Sequence, residues 1–294
     1  MTSDFDYPPV FSSADKASLR GQRRAVRLTS GQLALLVVAA IGGVVDFQVR
    51  DDSLNLGGVA AVFGFAGALV TALLLQVRRP EEQWYQGRAG AESIKTLAWR
   101  YAVGGDPFLV NRPNAEDLLL SRIREVMSRL RNLEWLASDG QSQISPRMAA
   151  LRYSNLDTRK AAYSSGRIDD QISWYNRNST RNATRAVQLA WLANTAALVG
   201  LALGTARAAT ILDADLLGVM AALATAVSAW TQLRQHRTLA VSYALAAQEL
   251  ALVKAKLPTM DDEEDWSRFV SDAEDAISRE HTMWLARRSQ VAEG

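Results

Sequence analysis

The densest chemical feature of the chain is a run of five carboxylates, Asp261, Asp262, Glu263, Glu264 and Asp265, just behind Thr259. Such a run can hold a cation. It also stands where a helix is expected to begin, and negative charge there offsets the exposed amides and the helix dipole, so capping is the expected use. The two histidines, His236 and His281, lie in different segments with no motif joining them, and there is no cysteine. A zinc site, a histidine-based triad, a cysteine nucleophile and a disulfide framework are therefore not expected. The sequence also lacks a phosphate-cradling GxxxxGKS or GxxxxGKT, a GxGxxG after a strand and a nucleophile elbow. The chain reads as a non-enzyme with no cofactor and no resident metal.

The remaining candidates are uncharged. Thr71, Asn194 and Thr195 interrupt otherwise apolar stretches, where polar groups turn either to a neighbouring helix or to a water-filled path. Small residues recur at four-residue steps as Ala196, Gly200 and Gly204, and again as Gly218, Ala222 and Ala226. Faces of this kind let helices approach closely, within one subunit or between subunits.

These residues sit in four windows nearly free of charge, about 28–47, 57–77, 186–204 and 213–233. A bilayer's hydrocarbon core of roughly 30 Å takes about 20 helical residues, so each window is read as a transmembrane helix. Lys and Arg collect on one side of all four. Arg20, Arg23, Arg24 and Arg27 precede the first, Arg78 and Arg79 follow the second, Arg181 and Arg185 precede the third, and Arg234 and Arg237 follow the fourth. The two hairpin loops carry only Arg50 and Arg207, against Asp46, Asp51, Asp52, Asp213 and Asp215. The bias predicts two hairpins of the same orientation, with both chain ends and almost all remaining mass in the cytoplasm of a multi-pass cell-membrane protein. The opening MTSDFDYPPVFSSADK lacks the basic stretch and cleavage site of a secretory signal, so the first span is expected to stay as an anchor.

Beyond the windows, apolar residues recur at three- and four-residue steps, the period of helices that pack on helices. Trp84, Gly87, Ala91, Ile94, Ala98 and Tyr101 form one stripe; Leu119, Ile123, Val126, Leu130, Leu133 and Ala137 a second; Leu239, Tyr243, Ala246, Leu250, Val253 and Leu257 a third. A fourth runs from Trp266 through Val270, Ala273 and Ile277 to Trp284. Breaks are expected at Gly104 to Pro107, Asn111 to Asn114, Ser138 to Pro146 and Pro258. From Tyr153 into the third span one long helix is expected, and the fourth span is expected to continue past Gln235 to about Leu257. With no period-two pattern, the fold class is all-α, four transmembrane helices in two parallel-orientation hairpins extended by a cytosolic helical bundle. Basic and acidic residues alternate along the polar helices, so the net charge of +2 implies no nucleic-acid partner.

The two halves read as one unit written twice, with Glu92 and Glu249 at matching places. The stretch QWYQGRAGAESIKTLAWRYAVGGDPF resembles the signature that follows the hairpin in bacterial SLATT proteins, through Trp84, Arg88, Ala91, Glu92, Lys95, Trp99, Arg100 and Tyr101. YSSGRIDDQISWYNRN resembles the helix leading into the hairpin of another SLATT subgroup, through Tyr163, Arg167, Gln171, Trp174 and Tyr175, and Glu274, Glu280 and Trp284 resemble that subgroup's last helix. The resemblance implies a tandem, with a disordered tail at 1–20, one SLATT-like unit at 21–140 and a second at 141–294. It implies a membrane effector of bacterial conflict systems that forms a pore on a cytosolic signal. Its partners would be the lipid bilayer, further copies of the chain, and a separate nucleotide-sensing or signalling protein. The same motif residues can equally serve to hold the helices together: Arg88 and Glu92 are four apart on one face, and the Trp and Tyr side chains suit either a membrane interface or helix packing.

Overall fold

The computed structural model describes residues 5–45, 55–130, 132–136, 140–212 and 216–292, with side chains as far as residue 278 in the last segment. Ten α-helices, and no strand, are found among these residues. They are α1 (Pro9–Val44), α2 (Leu56–Arg78), α3 (Pro80–Val103), α4 (Ala115–Arg129), α5 (Pro146–Arg152), α6 (Leu156–Tyr163), α7 (Asp170–Ala208), α8 (Leu217–Arg234), α9 (His236–Lys256) and α10 (Glu263–Ala292). A π-helical turn, Ser164–Asp169, joins α6 to α7, and a short 3-10 turn, Leu257–Thr259, follows α9. The helix starts follow capping chemistry. Asn55, Ser145 and Asn155 each accept a bond from the amide three residues on, and Asp262 accepts from the amides of Glu264 and Asp265. Part of the acidic run is thereby a helix cap, as its position suggested.

The chain divides into two compact units that each draw on both halves of the sequence: Met1–Gln22, Glu81–Ser179 and Val241–Gly294 in one, Arg23–Pro80 and Thr180–Ala240 in the other. The first is a helical bundle. Its core joins Ala14 and Ala17 of α1, Ala91, Ile94, Ala98 and Tyr101 of α3, Leu119 and Ile123 of α4, and Met148 of α5. Each large apolar side chain removed from water here contributes about 1.5–3 kcal/mol. The α1–α3 crossing is close because position 87 has no side chain. A Cβ on Gly87 would lie 2.6 Å from the Ser18 nitrogen and 2.9 Å from the Ala14 carbonyl. The expectation of a disordered tail through residue 20 is thus corrected: α1 starts at Pro9, and Val10, Ala14 and Ala17 step at helical spacing into this core.

The second unit is apolar almost throughout. α1 and α2 meet through glycines, with a Cβ on Gly64 placed 2.8 Å from both the Ala39 Cβ and the Leu35 carbonyl. Ala39, Ala68, Ala196 and Val227 are buried, whereas Phe63 is 72% and Trp191 70% exposed. Large apolar groups turned outward on every side suit a lipid solvent. By length and composition three helical runs, Pro9–Val44, Leu56–Val103 and Leu156–Ala208, can cross a membrane. The fourth expected span, α8, has 18 residues, about 27 Å of helix, and its last turn carries Gln232 and Arg234, which lowers its hydropathy. The loop residues Asp46, Arg50, Asp51, Asp52, Asp213 and Asp215 lie outside the described residues.

Two expectations about helix continuity change. The run from α6 through the π turn into α7 is unbroken, close to the single helix expected, but the fourth span does not continue into the cytosolic stripe. Gln235 takes φ 48°, ψ 36°, and its amide closes α8 on the Thr231 carbonyl, the left-handed cap that ends a helix. Arg79 does the same at φ 41° between α2 and α3, where Pro80 disfavours the α conformation of the residue before it. The second apolar stripe also loses its helix early, since α4 stops at Arg129 and the Trp135 indole N–H donates to the freed Leu130 carbonyl. Ala137 lies outside the described residues.

Candidate functional site

Helices α6 and α7 with the π turn between them bury five residues at a strict four-residue stride: Arg159, Tyr163, Arg167, Gln171 and Tyr175. On an α-helix four residues overshoot a full turn by about 40°, so such a stripe would wind off the buried face. The wider π turn at Ser164–Asp169 takes up the excess and keeps all five facing inward. Gly166 within it faces the Trp99 ring, where a Cβ would stand 3.0 Å from the nearest ring carbon.

Opposite this stripe, α10 supplies Glu274, which is 0% exposed, and α3 supplies Thr96 and Trp99. Glu274 Oε1 accepts from Arg167 Nε at 2.8 Å and from the Tyr163 hydroxyl at 3.0 Å. Its Oε2 accepts from Arg167 Nη2 at 2.7 Å and from Thr96 Oγ1 at 2.8 Å. Four donors meet about four lone-pair sites, so a carboxylate wholly removed from water is saturated. Burial works against the Arg167 charge, yet Glu274 outweighs it and holds the guanidinium pKa above its ordinary value. Trp99 closes one side, stacked on Phe5 at 4.1 Å, edge-on to Tyr163 at 5.8 Å, and donating its indole N–H to the Tyr7 hydroxyl at 3.0 Å.

Around the ion pair the other motif residues take their places. Arg100 bonds the Ser271 carbonyl at 3.0 Å and Asp275 at 2.5 Å, and the Arg88 guanidinium lies 5.5 Å over the Trp174 ring. Lys95 approaches the Tyr7 ring at 5.7 Å, with its pKa lowered by burial and then by Arg167. Glu92 contributes to the electrostatics of both Lys95 and Arg167. Trp84 stacks on Tyr85 at 5.1 Å. Tyr175 packs edge-on to Trp174 and beside Tyr243 of α9, and Trp99 and Tyr175 are both buried. The side chains of Glu280, His281 and Trp284 lie outside the described residues.

Two buried arginines escaped the sequence reading. Arg152 donates through Nη1 to the Tyr101 and Phe108 carbonyls, at 2.8 and 2.7 Å, and through Nη2 to Leu109 at 2.6 Å, tying the end of α3 to the loop that follows it. Arg159 bonds the Val103 carbonyl at 3.0 Å and pairs with Glu263. Part of the signal was present as spacing, since 159 and 167 fall eight residues apart across α6 and the π turn, two steps of the buried stripe. A cleft of about 510 Å³ beside them is lined by Asp106, Leu109, Val110, Asn111, Glu263 and Glu264 among others. Two of its acids are engaged, Glu263 by Arg159 and Glu264 by Arg268.

In the apolar unit the expected contact residues separate. Ala196 and Gly200 are buried, and a Cβ on Gly200 would lie 3.2 Å from the Met220 Cβ. Gly218, by contrast, has no atom within 4 Å of its would-be Cβ, so α8 meets α7 through Leu217 and Met220 instead of the small-residue step expected. Ala222 is half-buried, Asn194 and Thr195 are exposed, and the Thr71 hydroxyl bonds back to the Gly67 and Ala68 carbonyls of its own helix.

The tyrosines make the bundle sensitive to alkali. Burial, then the Glu274 charge, raises the Tyr163 pKa; burial raises that of Tyr7; and burial with Glu116 pushes Tyr101 up to about 12. A phenol whose folded pKa is raised stabilises the fold fully below the unfolded value near 10, and that contribution is lost as pH rises through the folded value. Helical circular dichroism should therefore hold to about pH 10 and fall cooperatively above it, together with tyrosinate absorbance. Titration of all seven tyrosines near pH 10 with the helices intact would contradict the burial.

Two family descriptions match the chain. Residues 8–160 match SMODS and SLOG-associating 2TM effector domain 3, and residues 163–284 match domain 1 of the same name. Neither a curated protein nor a solved structure matches it. Two 2TM domains and several long apolar helices make this a membrane protein. The first match alone takes in more than half of the chain, and the second begins three residues after it ends: the chain belongs to the SLATT family, as two such domains in tandem.

Proposed function

We propose that the chain is a non-enzymatic membrane effector of a bacterial conflict system, which assembles from several copies and breaches the membrane on a cytosolic signal. What carries the reading is that the motifs of both SLATT domains converge on one buried hub, Thr96 and Trp99 from the first and Tyr163, Arg167 and Glu274 from the second. The two domains then respond as one body. The helical bundle with both termini is cytoplasmic in this reading, supported by the arginines that flank every span on one side. The signal comes from a separate nucleotide-sensing partner. Four spans are too few to enclose a wide path, so further copies of the chain complete it.

Expression in bacteria should dissipate the membrane potential reported by a voltage-sensitive dye. Gly218→Leu should suppress this, because the added side chain has open space within its own subunit and fills the face on which this reading seats a neighbouring copy. An intact potential with a well-inserted native chain would count against the pore. A membrane-anchored scaffold is the second reading, favoured by the concentration of buried polar contacts outside the spans; it expects function to survive exchange of all spans for unrelated apolar helices.

A further inference from the structure

Apart from the hairpin-loop aspartates, the apolar unit has no carboxylate in its sequence, yet at one end of its second hairpin it carries Arg181, Arg185, Arg234 and Arg237. Two contacts organise that end. His236, 4% exposed, places Nδ1 2.6 Å from Oδ1 of Asn182, which ties the start of α9 to α7 one turn before Arg185. With Asn182 Oδ1 accepting, Nδ1 carries the proton of a neutral imidazole. Arg234, two residues before His236 across the left-handed Gln235, lays its guanidinium 5.7 Å from the centroid of the Trp230 ring one turn back on α8. The charges crowd: burial lowers the His236 pKa, and Arg234 and Arg185 lower it further.

Arg234 is half-buried and Arg185 exposed beside the buried imidazole, and the unit has no carboxylate in its own sequence at this end, so the two guanidinium groups present positive charge that an anion can meet. The position says which anion. The apolar run of α8 ends at Leu233, so Arg234 stands where hydrocarbon gives way to headgroups, and Trp230 one turn deeper is a residue enriched at that boundary. Guanidinium forks match phosphate oxygens two at a time, and the Trp230 ring holds one fork in orientation.

We propose that Arg185 and Arg234, positioned by the Asn182–His236 bond and the Trp230 ring, bind the phosphate of an anionic phospholipid headgroup. The recognised chemistry is a phosphate group, and its source is the membrane leaflet that meets this end of the hairpin.

The test uses the full chain in mild detergent, equilibrated with equal amounts of phosphatidylglycerol and phosphatidylcholine, with retained lipid counted by native mass spectrometry. Retention of the anionic lipid should exceed that of the zwitterionic one by about tenfold or more, since each basic group near the surface adds to the preference. Arg185→Gln with Arg234→Gln should remove most of that preference. Arg207→Gln, at the other end of the same hairpin, should leave it unchanged. Should the double variant fail to fold by circular dichroism, Trp230→Leu serves in its place and should weaken retention several-fold. Equal retention of both lipids by the native chain, or an unchanged preference in the folded variants, overturns the proposal. Displacement of the lipid by millimolar inorganic phosphate also overturns it, by assigning the site to a free anion.

Discussion

Replacing Arg167 by alanine should cost the helical bundle about 3–5 kcal/mol of stability, the expected penalty when one partner of a buried ion pair is removed. The loss is large because Glu274, 0% exposed, is left as a buried carboxyl group without its ion-pair partner. Tyr163 and Thr96 cannot replace a guanidinium that supplied two of its four bonds. Glu274→Ala should be similarly damaging for the mirrored reason. Arg167→Met combined with Glu274→Leu should recover most of the loss, since a buried pair exchanged for apolar groups of like volume is often neutral. Thermal unfolding in detergent across this double-mutant cycle decides it. A single substitution costing under about 1 kcal/mol would mean the pair is hydrated, and the hub as described would be wrong.

The second large effect is expected at Gly87. A leucine there must push apart two backbones, because the atoms met by its Cβ are the Ser18 nitrogen, the Ala14 carbonyl oxygen and the Ser18 Cα, not yielding side-chain ends. The separation would break the bond from the Ser18 hydroxyl to the Trp84 carbonyl and expose Ala14. Overpacking of this kind costs about 1–3 kcal/mol and here should reach the upper end. Gly31 gives the internal comparison, since its Cβ would meet nothing within 4 Å and its helix should gain from alanine by up to about 1 kcal/mol. Melting temperatures of Gly87→Leu, Gly87→Ala and Gly31→Ala should therefore fall, fall less, and hold or rise. Equal shifts for all three would show that helix propensity, not the α1–α3 crossing, governs position 87.

The apolar stripes were legible because burial of apolar groups follows the helical period. Ala91, Ile94, Ala98 and Tyr101 step by three and four residues and are all buried, as are Trp266, Val270, Ala273 and Ile277 on α10. The spans and most helix ends were legible for related reasons, charge-free length and turn chemistry. What escaped is set by tertiary contact. Arg152 and Arg159 carry the residue type of a solvated surface, and the carbonyls at the end of α3 and in the loop after it, with the Glu263 carboxylate, make them interior. Gln235 has neither glycine nor a following proline to announce a break. Its positive φ is held where His236 locks onto Asn182 across the hairpin. The glycine contacts of α1 with α2 were missed for a different reason: Gly57 and Gly64 read as features of an apolar span, while their role depends on Gly42 and Ala39 in another helix.

The left-handed residues at Arg79 and Gln235 make the two sides of each hairpin mechanically unlike. The incoming helices α1 and α7 are single helices of 36 and 39 residues, without a left-handed residue along them. The outgoing helices α2 and α8 each stop on one residue of positive φ, so a substitution that favours or forbids that conformation, such as Arg79→Gly or Gln235→Gly against the β-branched valine, acts on the outgoing side of a hairpin alone.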